Sequence, residues 1–278
     1  MNCLRINNLK IKDADLRERI FKQYRIHLTA LPFCKHTYMT SDNLTPLTRS
    51  TFFAEGLFYV QNASSLLPVC ALDPRKNESI LDIAAAPGGK TMHIASRMHN
   101  TGSILANDIS KSRLARVRAM AHTFGVTNMT TTSKPGQILW QIYPNQFDRV
   151  LVDAPCTMRG TDTPSTDSPK KVSRIQKSLL RAAIACCKPG GTIVYATCTT
   201  TREENEDVIS WILDKERGVI DLETVSFKDV PRTILKDTSR VSAEILEKTW
   251  RVPKEESFEG FFIAEIHKKI EPHKVKHI

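Results

Sequence analysis

The 278-residue sequence predicts an α/β fold, a doubly wound and mostly parallel sheet that carries a small N-terminal α+β attachment. Three observations predict it. From Ser79 onward, short β-type runs alternate with stretches of helical period, and at these lengths the alternation implies right-handed crossovers between parallel strands. The central runs Ile80-Leu81-Asp82-Ile83 and Val150-Leu151-Val152 do not alternate with polar residues, as expected of strands covered on both faces. Residues 1–50 differ: their period is mixed, and they hold nine Lys or Arg against four Asp or Glu, a local charge of +5.

Residues 1–60 are therefore expected to form a small basic α+β attachment, a candidate surface for a polyanion, 61–270 the main domain and 271–278 a frayed tail. A helix is predicted over 62–72, with Asn62 or Ser64 available to accept hydrogen bonds from its first turn. Strand and helix then alternate: 79–84 and 91–99, 103–107 and 111–124, 149–153 and 172–187, 192–197 and 203–215. The run from Gly260 to Ile266 reads as a late strand. No repeat or low-complexity tract interrupts the pattern.

A hydrophobic fraction of 41% and a charged fraction of 25% are those of an ordinary folded chain and exclude disorder and a disulfide mini-protein. The balance of 40 Lys and Arg against 30 Asp and Glu, a net +10, favours a polyanionic partner. The seven cysteines include no C-x-x-C pair, so neither a zinc site nor a disulfide framework is expected, and a reducing, cytoplasmic compartment is. No apolar run approaches the roughly 18 residues of a membrane span, and residues 1–12 lack the apolar core of a secretory signal. A monomer without metal or membrane attachment is the expectation.

The sharpest local feature is the passage from Leu81-Asp82-Ile83 through Ala84-Ala85-Ala86-Pro87-Gly88-Gly89-Lys90 to Thr91, a buried strand running over small residues into a helix. Small residues let a ligand approach the backbone, and a helix start offers unpaired N–H groups. Asp108 follows 19 positions after Gly89, at the end of the next strand, where a carboxylate can take ribose hydroxyls. This is a nucleoside-cofactor signature. A triphosphate-binding loop competes for Gly89-Lys90-Thr91, but that motif needs glycine where Ala84 stands, and Pro87 removes an N–H that a phosphate cradle would use.

Asp153-Ala154-Pro155-Cys156 ends one core strand and Ala196-Thr197-Cys198-Thr199 another, which places both thiols on the sheet edge where ligands bind. Cys3, Cys34, Cys70, Cys186 and Cys187 read instead as small buried hydrophobes. A thiolate adding to carbon 6 of a pyrimidine makes carbon 5 nucleophilic enough to take a methyl group from a sulfonium. Asp153 could hydrogen-bond the ring or its amino group as charge shifts, and a second thiol could help the adduct break down.

These residues resemble the Fmu/Sun-type family of RNA cytosine-5 methyltransferases, over about residues 4–268. The motifs are Leu4-Arg5-Ile6-Asn7, Tyr59-Val60-Gln61-Asn62-Ala63-Ser64-Ser65, the 85–91 loop, both cysteine motifs, Glu203-Glu204-Asn205-Glu206 and Glu259-Gly260-Phe261-Phe262. The resemblance implies a class I methyltransferase, Rossmann-like core using S-adenosylmethionine. It implies Cys198 as nucleophile, Cys156 in product release, Ala84 through Lys90 around the methionine moiety, Asp108 on the ribose, Asp153 between cofactor and base, and Arg113 near the cofactor. Three departures stand out. Lys134 lies near the position of an acidic adenine ligand, Thr157-Met158 replaces the commoner Ser-Gly after Cys156, and no further RNA-binding domain is expected after Lys269. A second reading, an RNA-binding or assembly scaffold with a weakened cofactor site, follows from the first two.

Lys170, Arg174, Lys177 and Arg181 fall on one helical face within a stretch of six basic residues and no acidic one. With Arg5 of the basic N-terminal segment, Lys170, Arg174 and Lys177 are the candidate RNA contacts, the alternative being a solvated helix face. A cytosine must be unstacked to expose carbon 5, so a structured RNA, ribosomal or transfer, with an accessible or flipped base is the expected partner.

Overall fold

The structure, a computed structural model, describes residues 2–270; the expected frayed tail lies outside the described residues. Strand β1 (Asn2–Ile6) is the centre of a small antiparallel sheet, between β3 (Thr37–Thr40) and β4 (Phe58–Gln61), with β2 (Thr29–Ala30) on the outer edge. Helix α1 (Asp13–Tyr24) and the single turns α2 (Thr45–Thr48) and α3 (Thr51–Ala54) complete this unit. Leu16 and Ile20 of α1 are fully buried with Leu4, Ile6 and Phe58 in a core of its own. At about 1.5–3 kcal/mol per large apolar side chain, this is enough to hold a short sheet that alternation alone would not predict.

The remaining chain builds a doubly wound sheet in the order β10-β12-β9-β8-β5-β6-β7. Its parallel part comprises β5 (Ser79–Asp82), β6 (Ser103–Asn107), β7 (Met129–Thr132), β8 (Phe147–Asp153) and β9 (Cys187–Thr197). The closing strand β12 (Phe261–Lys268) runs antiparallel to β9, with β10 (Ile220–Glu223) and β11 (Trp250–Val252) antiparallel to it in turn. The sheet is thus mostly parallel, the expected class.

Side chains alternate between two cores, as the pleat requires. Leu151, Val194 and Ala196 join α4 (Leu67–Leu72) and α5 (Gly89–Met98) on one face. Val150, Val152, Ile193 and Tyr195 join α7 (Pro169–Cys186) and α8 (Glu206–Lys215) on the other. Helix α6 (Lys111–Phe124) is bounded as its sequence dictates: the Ser110 hydroxyl accepts from the Arg113 N–H at 3.3 Å, and Gly125 turns left-handed at the end. Short helix α9 (Ala243–Lys248), β10 and β11 had no periodic signal because each is a few residues long.

Two expected helices begin otherwise than their period implied. The segment expected as helix over 62–72 starts as a 3-10 turn, Ala63–Leu66, and becomes α-helical at Leu67, because Pro68 has no N–H and fits only a first turn. The Asn62 side chain caps it, accepting from the Ser64 N–H at 2.9 Å. The helix expected over 203–215 is broken at Asn205, whose side chain is taken by Thr197 at 2.5 Å and by the Thr199 carbonyl at 2.9 Å. Both breaks fall beside the strand ends that matter for function.

Candidate active site

The small-residue loop leaves β5 with Ala85 and Ala86 buried and Pro87 exposed. Gly88 caps α5 at φ +116°, a conformation that an L side chain rarely adopts. Asp108, at the end of β6, is buried against this loop: its carboxylate accepts from the Ala86 N–H at 3.3 Å and from the Ser110 N–H at 2.9 Å. Arg113 donates to the Ala86 carbonyl at 2.7 Å and lies 3.3 Å from the same carboxylate. Lys134 is held by its backbone, its N–H bonding Asn107 Oδ1 at 3.1 Å.

Tyr59, Ser65, Asp82, Gly89, Lys90 and Asp153 line a cavity of about 190 Å³ beside the loop, to which Ala84, Ala85, Pro87 and Gly88 also contribute. Asp82 was read from sequence as strand core, and in the structure it is fully buried with one oxygen accepting from Thr91 at 2.7 Å and the other without a partner. Burial pushes its carboxyl up to about 7. The available signal was a single acid inside an otherwise apolar run. Across the cavity Lys90 Nζ meets Asp153 at 2.7 Å and sits 5.7 Å over the ring of Phe261. Burial works against the ammonium, but the Asp153 carboxylate outweighs it and Lys90 is held above its ordinary value.

Cys156 and Cys198, 42 positions apart, come together with their sulfurs at 3.2 Å, half-buried at the ends of β8 and β9. The two thiols are in hydrogen-bond contact. The Cys198 S–H and the N–H groups of the loop hold Cys156 below the ordinary thiol value, whereas the Cys156 contact, burial and Asp153 hold Cys198 above it. Their loops are locked by backbone: Gly160 donates to the Cys198 carbonyl at 3.2 Å and Gly260 to the Gly160 carbonyl at 2.8 Å. A Cβ on Gly160 would stand 2.0 Å from the Gly260 oxygen, so this crossing admits only glycine.

Glu204 supplies a second lock that its motif alone did not disclose. Its buried carboxylate accepts from the Thr157 N–H at 2.9 Å, from Gln176 at 3.0 Å, from Thr201 at 2.7 Å and from the Thr157 hydroxyl. Thr157 is thus an integral strut between the two cysteine loops. Glu206 forms a buried bidentate pair with Arg251, which also donates to the Thr200 carbonyl at 2.7 Å.

Arg5 requires a correction. It was expected on RNA, yet it is 2% exposed, donates to the Gly89 carbonyl at 3.4 Å and has no partner for Nε. Its side chain stands off the face of the small sheet and is covered there by the start of α5 and by Cys34, Tyr59 and Cys70, which leaves almost none of it to offer a phosphate. Burial lowers it to about 10. Lys170 and Arg174 are exposed on the first turns of α7, downstream of Cys156, while Lys177 lies 5.6 Å over Trp211 and Arg181 pairs with Glu216 at 2.9 Å. A groove of about 670 Å³ opens between α7 and Trp211, away from both cysteine motifs and the 84–90 loop.

A sheet of this order with a cofactor-type loop on its carboxyl edge defines a class I, Rossmann-like methyltransferase fold. The chain belongs to the 16S rRNA methyltransferase RsmB/F family, whose model matches residues 69–267. It is 35% identical over 95% of its length to the Ribosomal RNA small subunit methyltransferase F of Salmonella paratyphi A, and 37% identical over 79% to that of Klebsiella pneumoniae. It spans about half the length of these curated relatives, 56% and 48%. A methyltransferase homologue from Pyrococcus horikoshii superposes with a TM-score of 0.86 at 34% identity, covering 97% of this chain and 86% of that one. NSun6 from the same organism, solved with SFG, shares the fold at 23% identity and a TM-score of 0.83, over 97% of this chain and 91% of that one.

Proposed function

We propose that the chain methylates carbon 5 of a cytosine in small-subunit ribosomal RNA, using S-adenosylmethionine. The 3.2 Å pairing of Cys156 and Cys198, within electrostatic reach of Lys90 and Asp153 of the loop cavity, carries this reading. The residues present fit the cofactor. The unpartnered Asp82 oxygen in the cavity suits an ammonium, and Asp108 is set where ribose hydroxyls would reach it. When bound, S-adenosylmethionine supplies an electrophilic methyl group on a sulfonium.

The chain's own residues perform the rest. Cys198 loses its proton to solvent, and its sulfur forms a bond to carbon 6, moving the ring electrons toward carbon 5, which takes the methyl group. Asp153, fixed by Lys90, holds the exocyclic amino group while negative charge develops in the ring. Cys156, the sulfur held lower, removes the proton from carbon 5. The sulfur–carbon 6 bond then breaks, its electrons return to Cys198, and the methylated base leaves. Lys170 and Arg174, on the helix that follows the Cys156 loop, contact phosphates, a placement that fits a cytoplasmic partner such as ribosomal RNA.

Cys198→Ala should abolish methyl transfer, while Cys156→Ala should accumulate a protein–RNA adduct stable on denaturing gels. An active Cys198→Ala enzyme would sink the assignment, and exchanged phenotypes would reverse the two roles. The scaffold alternative predicts no saturable S-adenosylmethionine binding by calorimetry. The unpartnered Asp82 oxygen in an otherwise formed cavity favours the enzyme.

A further inference from the structure

Three side chains that the proposed reaction does not use converge between the N-terminal unit and the main sheet. Cys34 comes from the segment between β2 and β3, Cys70 from α4 and His93 from α5. Their ligating atoms all lie within 4.8 Å of one another, and among the described residues they form the group of His, Cys, Asp or Glu side chains placed to hold one ion. Cys34 Sγ and His93 Nε2 are 3.6 Å apart. Two ligands at about 2.3 Å and 2.1 Å from a tetrahedral zinc stand about 3.6 Å apart, so this edge already has the required length.

We propose that Cys34, Cys70 and His93 form a binding site for a soft divalent cation of the zinc class. Two thiolates with an imidazole select such an ion over magnesium or calcium, which prefer oxygen. The His93 ring is buried and its Nε2 already faces the Cys34 sulfur, so an imidazole nitrogen is presented to the site. The unit of one divalent cation and two thiolates has no net charge, so it adds no repulsion to the buried guanidinium of Arg5 beside it. Binding releases the thiol protons to solvent, and a water completes four-coordination.

Access is available from two sides. A cleft of about 200 Å³ lined by Arg5, Asn8, Ser96 and Arg97 reaches His93, and another of about 300 Å³ reaches Cys70. With Nε2 on the metal the ring proton would sit on Nδ1, which is buried and has no protein partner, so an acceptor such as a water would have to come from the adjoining cleft. Bound metal would fasten the N-terminal unit to α5, the helix whose first residues are Gly89 and Lys90. The site was invisible in the sequence because its ligands come from three distant segments with no C-x-x-C spacing.

Cobalt(II) titration of the purified, reduced 278-residue chain tests this. The expected result is saturation near one equivalent, with thiolate-to-cobalt charge transfer and the intense visible bands of a tetrahedral site, displaced by zinc. Cys34→Ser and Cys70→Ser should lose the bands and Cys198→Ala should keep them. Should the serine variants fail to fold, alkylation of the native chain followed by mass mapping decides: zinc should slow modification of Cys34 and Cys70 at least tenfold. The proposal is overturned by absence of tetrahedral bands, by bands lost only with Cys198, or by zinc leaving alkylation unchanged. A Cys34–Cys70 disulfide forming equally fast with and without zinc would overturn it in favour of a redox pair.

Discussion

Cys156–Cys198 and Cys34–Cys70–His93 are two sulfur clusters in one chain, and they differ in what surrounds them. The first lies half-buried on the carboxyl edge of the sheet, beside an ionised Lys90–Asp153 pair and a cavity. The second lies between the N-terminal unit and α4 and α5, beside a buried Arg5 and reached through two clefts. Elsewhere Cys3, Cys186 and Cys187 are pushed up to about 12, burial being the largest cause in each case. The thiols assigned a role here are thus those that a second sulfur or an imidazole reaches. On the proposed readings the first cluster exchanges partners with a substrate, whereas the second holds what fits between its three ligands.

The sharpest way to break the contrast is to loosen the frame of the first cluster without touching its sulfurs. Glu204→Ala removes four accepted hydrogen bonds at once and strands the Thr157 N–H in the interior, while the Gln176 amide keeps only its bond to the Pro155 carbonyl. We expect a loss of about 3 kcal/mol of stability. Methyl transfer should fall at least tenfold, because the 3.2 Å sulfur contact depends on both loops. Thermal unfolding and single-turnover assays measure the two effects. A variant that unfolds at the normal temperature and turns over normally would show that the Gly160–Gly260 crossing alone positions the thiols.

Asp82 gives a smaller effect with a distinctive pH signature. Its folded value near 7 lies above the ordinary carboxyl value of 3.8, so between the two the folded protein keeps a proton that the unfolded chain has lost. Stability therefore falls as pH rises through this interval. Cofactor affinity should do the opposite, rising with pH until Asp82 ionises near 7 and levelling above, because an ammonium binds the carboxylate. Asp82→Asn should weaken S-adenosylmethionine binding by about 10- to 100-fold at pH 8, the scale of one charge-assisted hydrogen bond, and flatten both slopes. Calorimetry across pH 6–8 reads the affinity, and a wild-type affinity that declines over this range would remove Asp82 from the cofactor site.

Much of the fold was legible because its determinants are local. The 111–124 helix carries its own cap and terminating glycine, and the two-faced apolar runs of β5 and β8 announce a covered sheet. The pairing of Cys156 with Cys198 was legible for a similar reason, since both follow such strands. What escaped was fixed by tertiary contact: the carboxylate of Glu204, reached from four directions, the covering of Arg5 by the start of α5, and the meeting of Cys34, Cys70 and His93. Periodicity reports which face of an element is covered and carries no record of which distant polar atom covers it.

A similar distinction between exposed and buried separates two groups of basic residues. Lys170 and Arg174 are exposed on the first turns of α7, while Arg5 is buried beside the second cluster. Only exposed cations can release the counterions condensed on RNA, so replacing Lys170 and Arg174 by Gln should reduce the slope of log affinity against log salt by about 1–2. Each lost contact is worth a modest amount, and S-adenosylmethionine binding should not change. Arg5→Gln should leave the salt slope intact, whatever it does to stability, because a buried guanidinium displaces no counterion. Filter binding over a range of salt concentrations distinguishes the outcomes. A slope lowered by Arg5→Gln and untouched by the α7 pair would move the RNA path from α7 to the N-terminal unit.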